Sequence, residues 1–169
     1  MFSANDARVH AFSLLDGKEV WVYVSEVEIS GPPTSLGGSV VVPRSDGSIV
    51  ALDPSNGSFK GLVYTDPAGK DLALAVDKET IFVANASGQV FAVKAGKAIW
   101  DKPFERPGAK HIPKIAVQGD ALLVAMGSYR VFALEGDTGK ITWQAEFPEK
   151  NGLTLSPISV VGEGFFVGT

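Results

Sequence analysis

The sequence has 169 residues, enough for about one domain, and its 45% hydrophobic and 20% charged composition is typical of a globular protein. The net charge of −4 argues against a nucleic-acid-binding module, and the lack of cysteine excludes a disulfide framework, an iron–sulfur cluster and a thiol nucleophile. No apolar stretch is long enough to span a membrane, and the first residues lack the basic start and apolar run of a signal peptide, so the sequence itself indicates no compartment.

Four segments in chain order repeat one pattern, each centred on an alanine in a short apolar strand. These alanines are 40, 41 and 41 residues apart: Ala11, Ala51, Ala92 and Ala133. A fixed period of this length is typical of repeat architectures. We therefore expect one domain across 1–169, with repeats at approximately 1–30, 31–69, 70–109 and 110–150, and with 151–169 starting or closing a further unit.

Each unit is predicted to contain four short strands. An opening strand is clearest at 72–76, 115–117 and 158–161, and a second strand is clearest at 39–42, 80–84 and 121–125. Turns rich in Asp, Asn, Ser and Gly separate the strands, as tight hairpins require. The third strand carries the repeated alanine, and the last carries Trp21, Trp100 or Trp143. Four strands in about 41 residues are typical of a propeller blade.

The repeated pattern Ala-x-Asp-x-x-x-Gly-Lys-x-x-Trp resembles the repeat of the PQQ-like β-propellers. The fourth unit fits best, through Ala133, Gly139, Lys140 and Trp143, whereas the second has Gly61 in place of the tryptophan and the third has lost two turn residues. The family includes quinoprotein alcohol dehydrogenases and a non-enzymatic lipoprotein scaffold of the bacterial outer-membrane β-barrel assembly machine. The resemblance covers essentially the whole chain and is more specific for fold than for function.

The resemblance implies an all-β fold, a β-propeller with four four-stranded PQQ-like blades that form half of an eight-bladed ring or a fragment. It also implies that the tryptophans dock against the neighbouring blade and that the small alanines let the sheets approach closely. The residues expected to perform this structural docking are Trp21, Trp100, Trp143, Ala11, Ala51, Ala92 and Ala133.

The order of strands leaves the assembly open. The segment 1–5 aligns with 81–85, so the first unit starts inside its second strand, while 157–169 contains a first and a second strand. Three explanations remain: a piece of a longer propeller, two chains that pair head to tail into an eight-bladed homodimer, or one four-bladed ring. In each of them an open blade face with Phe165 and Phe166 favours association.

A search for catalytic and ligand-binding motifs finds none that is specific. Gly139-Lys140 lacks the rest of a phosphate-binding loop, the two histidines have no serine at an informative spacing, and no turn has the ligand pattern of a calcium loop. Quinone dehydrogenases of the family use PQQ, calcium and a catalytic aspartate, but no residue here matches that aspartate. We therefore expect no enzyme activity, no cofactor and no metal site.

A basic cluster in the loop before an opening strand is the candidate binding site. It contains Arg106, Lys110, His111 and Lys114, which could hold an anion or an acidic partner, although a solvated loop explains them as well. We expect a non-enzymatic scaffold that binds a protein or peptide through blade loops and the channel face, located in the cell envelope by family analogy only. The alternatives are a fragment of a PQQ-dependent dehydrogenase and a self-assembling half-propeller.

Overall fold

The computed structural model describes residues 7–67, 70–105, 111–126, 130–146 and 157–168. Within these ranges the regular structure is entirely β, and no helix there could span a membrane. The strands are β1 (Arg8–Phe12), β2 (Glu19–Val24), β3 (Thr34–Leu36), β4 (Ser39–Pro43), β5 (Ser48–Leu52), β6 (Phe59–Thr65), β7 (Leu72–Asp77), β8 (Thr80–Asn85), β9 (Val90–Lys94), β10 (Lys97–Ala98), β11 (Lys114–Gln118), β12 (Ala121–Met126), β13 (Arg130–Glu135), β14 (Ile141–Glu146), β15 (Ser159–Val161) and β16 (Gly164–Phe166).

The strands form five antiparallel sheets, which we name by their place along the chain. The outer half-blade contains β1 and β2, and the inner half-blade contains β15 and β16. Between them lie the first full blade (β3 to β6), the second (β7 to β10) and the third (β11 to β14), each with its strands in chain order. The predicted all-β architecture of four-stranded propeller blades is confirmed, and the described strands amount to a partial propeller.

The blades pack face to face around their opening strands. β3, β7, β11 and β15 lie side by side in turn, which places the opening strand of each full blade at the centre of the fold. The second and third strands of each full blade are almost continuously apolar and buried, as in Ile81, Val83 and Leu122. Both faces of these strands contact a neighbouring sheet, so alternation with polar residues is lost. Burying each such side chain contributes about 1.5–3 kcal/mol.

The second full blade has an incomplete outer strand. β10 contains only Lys97 and Ala98, and Trp100 lies just beyond it rather than within a strand. Pro103 cannot donate a ladder hydrogen bond, and pairing resumes in a bridge between Val90 and Phe104. The sequence pattern did not predict β3, whose Thr-Ser-Leu segment has little apolar periodicity, and the segment 1–5, expected as a second strand, lies outside the described residues.

Candidate functional site

Two tryptophans join neighbouring blades through the same contact. The indole N–H of Trp21 in the outer half-blade donates to the carbonyl of Pro54 in the first full blade, at 2.9 Å. The indole N–H of Trp100 in the second full blade donates to the carbonyl of Gly136 in the third, at 2.8 Å. In both cases the acceptor lies in the turn between the third and fourth strands of the next blade. Each tryptophan is therefore hydrogen-bonded to a turn of the neighbouring blade.

A glycine lies under each indole ring. Gly57 and Gly139 have φ of +71° and +70°, and a Cβ on them would lie only 2.6 Å and 2.7 Å from a ring carbon of Trp21 and Trp100. Only glycine meets both requirements, because L side chains avoid the left-handed region and the ring leaves no space. The glycine is therefore required for docking as well as for the turn.

The turns that receive the rings share one backbone geometry. Gly57 N–H donates to Asp53 O, and Gly139 N–H donates to Glu135 O, both at 2.8 Å. The Asp53 carboxylate also accepts from the backbone and hydroxyl of Ser55, which hold the pKa of Asp53 below its usual range. The repeated turn is thus a preformed seat for an indole ring.

Three of the four repeated alanines face the tryptophan position across an outer strand pair. Ala11 pairs with Trp21, Ala51 with Gly61, and Ala133 with Trp143. A register shift follows each of these alanines, at 11/12, 51/52 and 133/134. A bulge at this point increases the local twist of the strand. Ala92 and Ala133 are completely buried, and Ala11 and Ala51 are partly buried.

The junction between the first and second full blades lacks the tryptophan and also lacks its seat. Gly61 stands where the ring would be, and the receiving turn is shortened to Ala95 and Gly96. A Cβ on Gly96 would lie 3.1 Å from the carbonyl of Val63, so backbone approaches backbone directly here. At this junction, which lacks the ring and has the shorter turn, the blades are in contact through their backbones.

One tryptophan has no seat among the described residues. Trp143 in β14 is 41% exposed, and no hydrogen bond of its indole N–H is found in the described part of the chain. Its ring stacks on Phe165 of the inner half-blade, with centroids 5.8 Å apart and planes at 24°. A groove of about 180 Å³ lies beside it, between the third full blade and the inner half-blade.

One seat has no tryptophan. The turn from Ser13 to Gly17 in the outer half-blade has the same hydrogen bond, Gly17 N–H to Ser13 O at 2.9 Å, and the same φ of +69° at its glycine. No atom lies within 4 Å of a Cβ built on Gly17, and Leu14 and Leu15 are fully exposed. Among the described residues, Trp143 therefore lies on no glycine turn, and the Ser13–Gly17 turn carries no tryptophan.

The structure places only part of the predicted basic cluster. His111 is exposed and Lys114 is half-buried at the start of β11, and between them Ile112 and Pro113 turn toward the interior. Arg106 and Lys110 lie outside the described residues. The assignment of these four residues to a binding site stays a prediction.

A buried polar network centred on Asn85 was not predicted. Asn85 is fully buried, and its amide N–H groups donate to Asp66 at 2.7 Å and Gln89 at 3.2 Å. Its carbonyl oxygen accepts from the backbone N–H groups of Ser87 and Gln89, and Gln89 donates to Glu105 at 3.0 Å. The network links the loops at 66, 85–89 and 105, because each lies at the same end of its blade. Asparagine in a turn-like Asn-x-Ser-Gly segment is too common to signal such a role.

Replacing Asn85 with alanine is expected to lower the free energy of unfolding by about 2–3 kcal/mol, because the buried Asp66 carboxylate loses a donor and the backbone N–H groups of Ser87 and Gln89 lose their acceptor. Asn56 offers a matched control, since it accepts from the N–H of Ser58 in an exposed turn, and its loss should cost about 0.5 kcal/mol. Urea denaturation monitored by circular dichroism measures both values. Equal losses for the two variants would show that burial of the network is unimportant.

A second groove, of about 260 Å³, lies between the second and third full blades. Its carboxylates are partly neutralised by lysine: Lys78 contacts Asp77 at 3.8 Å and Asp120 at 3.6 Å, and Lys94 contacts Glu79 at 3.4 Å. Among the described residues no group of three or more His, Asp or Glu side chains has an arrangement that could hold a metal ion. These contacts are exposed ion pairs, which contribute little free energy.

Comparison with known proteins identifies relatives of one kind. A family model described as outer membrane protein assembly factor BamB matches residues 1–108 and 65–169. The proteins of that name from Yersinia pestis and Burkholderia pseudomallei (strain K96243) are 28% identical over 159 residues and 26% identical over 164 residues. These matches cover 86% and 87% of this chain but 40% and 42% of the relatives. The chain thus spans about two fifths of the length of the curated relatives it matches.

Solved structures show the same fold. BamB from Moraxella catarrhalis superposes with a TM-score of 0.71 at 20% identity, over 95% of this chain and 49% of that one. The computationally designed Ika4 protein superposes with a TM-score of 0.67 at 13% identity, over 90% of this chain and 92% of that one. At these identities the similarity supports the propeller fold alone.

Proposed function

Because the chain belongs to the family described as outer membrane protein assembly factor BamB, we propose that it acts as a non-enzymatic scaffold that binds a protein partner in the cell envelope. The curated relatives are named as assembly factors for outer membrane proteins, which supports this role. Residues 1–169 are proposed to act as one partial propeller domain, with its repeats divided as the sequence predicts. Fold alone does not specify function, since propellers host many activities.

The observation that carries the proposal is the fixed loop surface at one end of the blades. Asp66, Asn85, Gln89 and Glu105 connect successive loops through hydrogen bonds of 2.7–3.2 Å. Loops held in this way can present side chains to a partner with little loss of conformational entropy on binding. A rigid loop surface is what a scaffold requires.

The partner is proposed to present an acidic segment to this surface. Lys114 lies at the start of β11, and His111, three residues before it, is exposed. Arg106 and Lys110 are two further basic residues in this stretch of the sequence. A cluster of side chains that carry charges of the same sign raises the association rate of an oppositely charged partner.

Charge reversal tests the site. The chain is immobilised and its affinity for the purified outer-membrane assembly machine from a BamB-deficient strain is measured by biolayer interferometry. Lys114→Glu is expected to weaken binding about five- to tenfold at low ionic strength, with a smaller effect at high salt. Lys97→Glu makes the same charge change on the exposed β10 strand and is expected to leave binding unchanged.

The outcomes of this experiment distinguish a failure of the proposed binding site from a failure of the proposed scaffold function. Equal affinities for the two variants would contradict the basic loop as the binding site while leaving the scaffold role standing. No binding by the unaltered chain would contradict the scaffold role itself. Dye-linked oxidation of alcohols after addition of PQQ and Ca²⁺ would instead support the dehydrogenase alternative.

A further inference from the structure

We propose that Asn56 is a modification site: its side-chain amide is lost by deamidation when Trp21 leaves Gly57, and the isoaspartate that forms keeps the ring from returning. The site lies in the turn between β5 and β6 of the first full blade, at the junction with the outer half-blade. This inference goes beyond the proposed function and does not depend on which protein the loops bind.

The residue that follows Asn56 makes its amide reactive. The backbone nitrogen of Gly57 can attack the side-chain carbonyl carbon of Asn56, which forms a cyclic succinimide and releases ammonia. The attacking nitrogen loses its proton, and the departing amide nitrogen gains it. Water then opens the succinimide at either carbonyl and gives aspartate or isoaspartate. Glycine has no side chain that hinders the attack, and asparagine is one of the thermolabile residues of proteins.

The indole ring of Trp21 covers one half of this reacting pair. Asn56 is exposed, so water reaches the amide that would leave, whereas Gly57, which supplies the attacking nitrogen, is buried. A Cβ on Gly57 would lie 2.6 Å from a ring carbon of Trp21. The ring is held in this place by the hydrogen bond from its N–H to the carbonyl of Pro54, at 2.9 Å. Docking of the ring therefore controls access to the attacking residue.

Two hydrogen bonds hold the reacting atoms in an unreactive arrangement. The N–H of Gly57 donates to Asp53 O at 2.8 Å, so the nitrogen that must lose its proton is occupied by an acceptor. The side-chain oxygen of Asn56 accepts from the N–H of Ser58 at 2.9 Å, which fixes the carboxamide toward Ser58. Both bonds must break before the nitrogen can reach the side-chain carbonyl carbon. Deamidation therefore requires local opening of the turn, which the docked ring of Trp21 opposes.

The second turn that receives a ring lacks this chemistry. Thr138 takes the place of Asn56 before Gly139, and threonine has no amide to lose. The buried Asn85 is followed by alanine, whose side chain hinders the attack. The chain has one other Asn-Gly pair, Asn151-Gly152, which lies outside the described residues. Among the described residues, the reaction is therefore specific to the junction that Trp21 forms.

Isoaspartate at position 56 would change the backbone of the turn. Its main chain runs through the side-chain carbonyl carbon, which adds a methylene group between Pro54 and Gly57. Trp21 contacts both of these residues, since its N–H donates to Pro54 and its ring lies on Gly57. An added backbone atom between them displaces one contact when the other is kept. The product therefore loosens the junction between the outer half-blade and the first full blade irreversibly.

The rate of reaction at Asn56 tests the protective role of the ring. Chains are incubated at mildly alkaline pH, and isoaspartate is measured by methyltransferase labelling and peptide mass spectrometry. Trp21→Ala is expected to react at least about tenfold faster than the unaltered chain, and Trp21→Phe, which cannot donate to Pro54, about threefold faster. Trp143→Ala is the control, because the described residues place its ring on Phe165 and on no Asn-Gly turn. In unfolding concentrations of urea all four chains should react at one rate, and circular dichroism confirms that each is folded without urea.

The stability of the product tests the effect of isoaspartate on docking. Asn151→Gln removes the other Asn-Gly pair, and ion exchange then isolates chains that gained one negative charge at position 56. The isoaspartate form is expected to have the same midpoint of urea unfolding as Trp21→Ala. Asn56→Asp is the matched control, because it carries the same charge on a normal backbone and its carboxylate can still accept from Ser58. Its midpoint should equal that of the chain with Asn56.

Three results would overturn the proposal. Equal rates at Asn56 in the folded unaltered chain and in both Trp21 variants would show that the ring gives no protection. An isoaspartate form as stable as Asn56→Asp would show that the product still accepts the ring. Absence of reaction at Asn56 in the unfolded chain would exclude the site itself. Neither readout involves a binding partner, so these failures are distinguishable from a failure of the proposed scaffold function.

Discussion

Replacing Trp100 with alanine is expected to lower the free energy of unfolding by about 3–5 kcal/mol, because it removes a large ring from between two blades. Trp100 is only 6% exposed, and its ring covers Gly139 while its N–H donates to Gly136 at 2.8 Å. The alanine variant would leave a cavity and an unsatisfied carbonyl in the same junction. Urea denaturation monitored by far-ultraviolet circular dichroism measures the change.

Trp100→Phe separates the ring from its hydrogen bond. Phenylalanine keeps most of the apolar contact but cannot donate to Gly136, so we expect a loss of about 1–2 kcal/mol. A loss below about 1 kcal/mol for the alanine variant would contradict a central role of this residue in holding the blades together.

Replacing Gly139 with alanine is expected to cost about 3 kcal/mol, although it adds only one methyl group. Gly139 has a φ of +70°, and the new Cβ would lie 2.7 Å from the indole of Trp100. The ring must therefore leave its position or the turn must open. The same denaturation experiment measures the loss.

Gly119 offers the matched control for this substitution. It lies in the same blade, has a φ of +56°, and has no atom within 4 Å of a Cβ built on it. Gly119→Ala should therefore show only the conformational cost, about 1 kcal/mol. If the two alanine variants were equally stable, steric contact with the ring would be unimportant.

The strands and the repeat could be predicted because their signals are local. The period of 40–41 residues is visible in four alanines, and apolar runs such as Ile81–Ala84 and Leu122–Ala125 indicate buried strands directly. Turn residues mark their ends. Strand β3 was not predicted, because Thr34, Ser35 and Leu36 have no clear apolar periodicity. Their position depends on contacts with the neighbouring strands β4 and β7.

The partner of each tryptophan could not be read from spacing alone. Trp21 contacts a carbonyl 33 residues away and Trp100 one 36 residues away, and both acceptors are backbone atoms that carry no sequence signal. The replacement of tryptophan by Gly61 and the shortening of the next turn at Gly96 are visible separately in the sequence. Only the structure shows that the two features meet at one junction, through the approach of Gly96 to the carbonyl of Val63.

The basic residues of the candidate site are visible in the sequence, and their assignment to a binding site stays a prediction. The hydrogen-bond network around Asn85 could not be predicted from the sequence in the same way. Of the four hydrogen bonds of the Asn85 side chain, only the one to Asp66 joins loops distant in sequence, and the other three lie within residues 85–89. Such a network depends on how blades stack, and no single repeat contains it.

A double-mutant cycle between Trp100 and Gly139 tests most directly the central claim that an indole ring on a glycine turn joins successive blades. If Gly139→Ala acts by displacing the ring, it should cost only about 1 kcal/mol once the ring is gone, so the cycle should show a coupling of about 2 kcal/mol. Additive losses in the Trp100→Ala/Gly139→Ala variant would instead show that the two residues act independently, and would contradict the account.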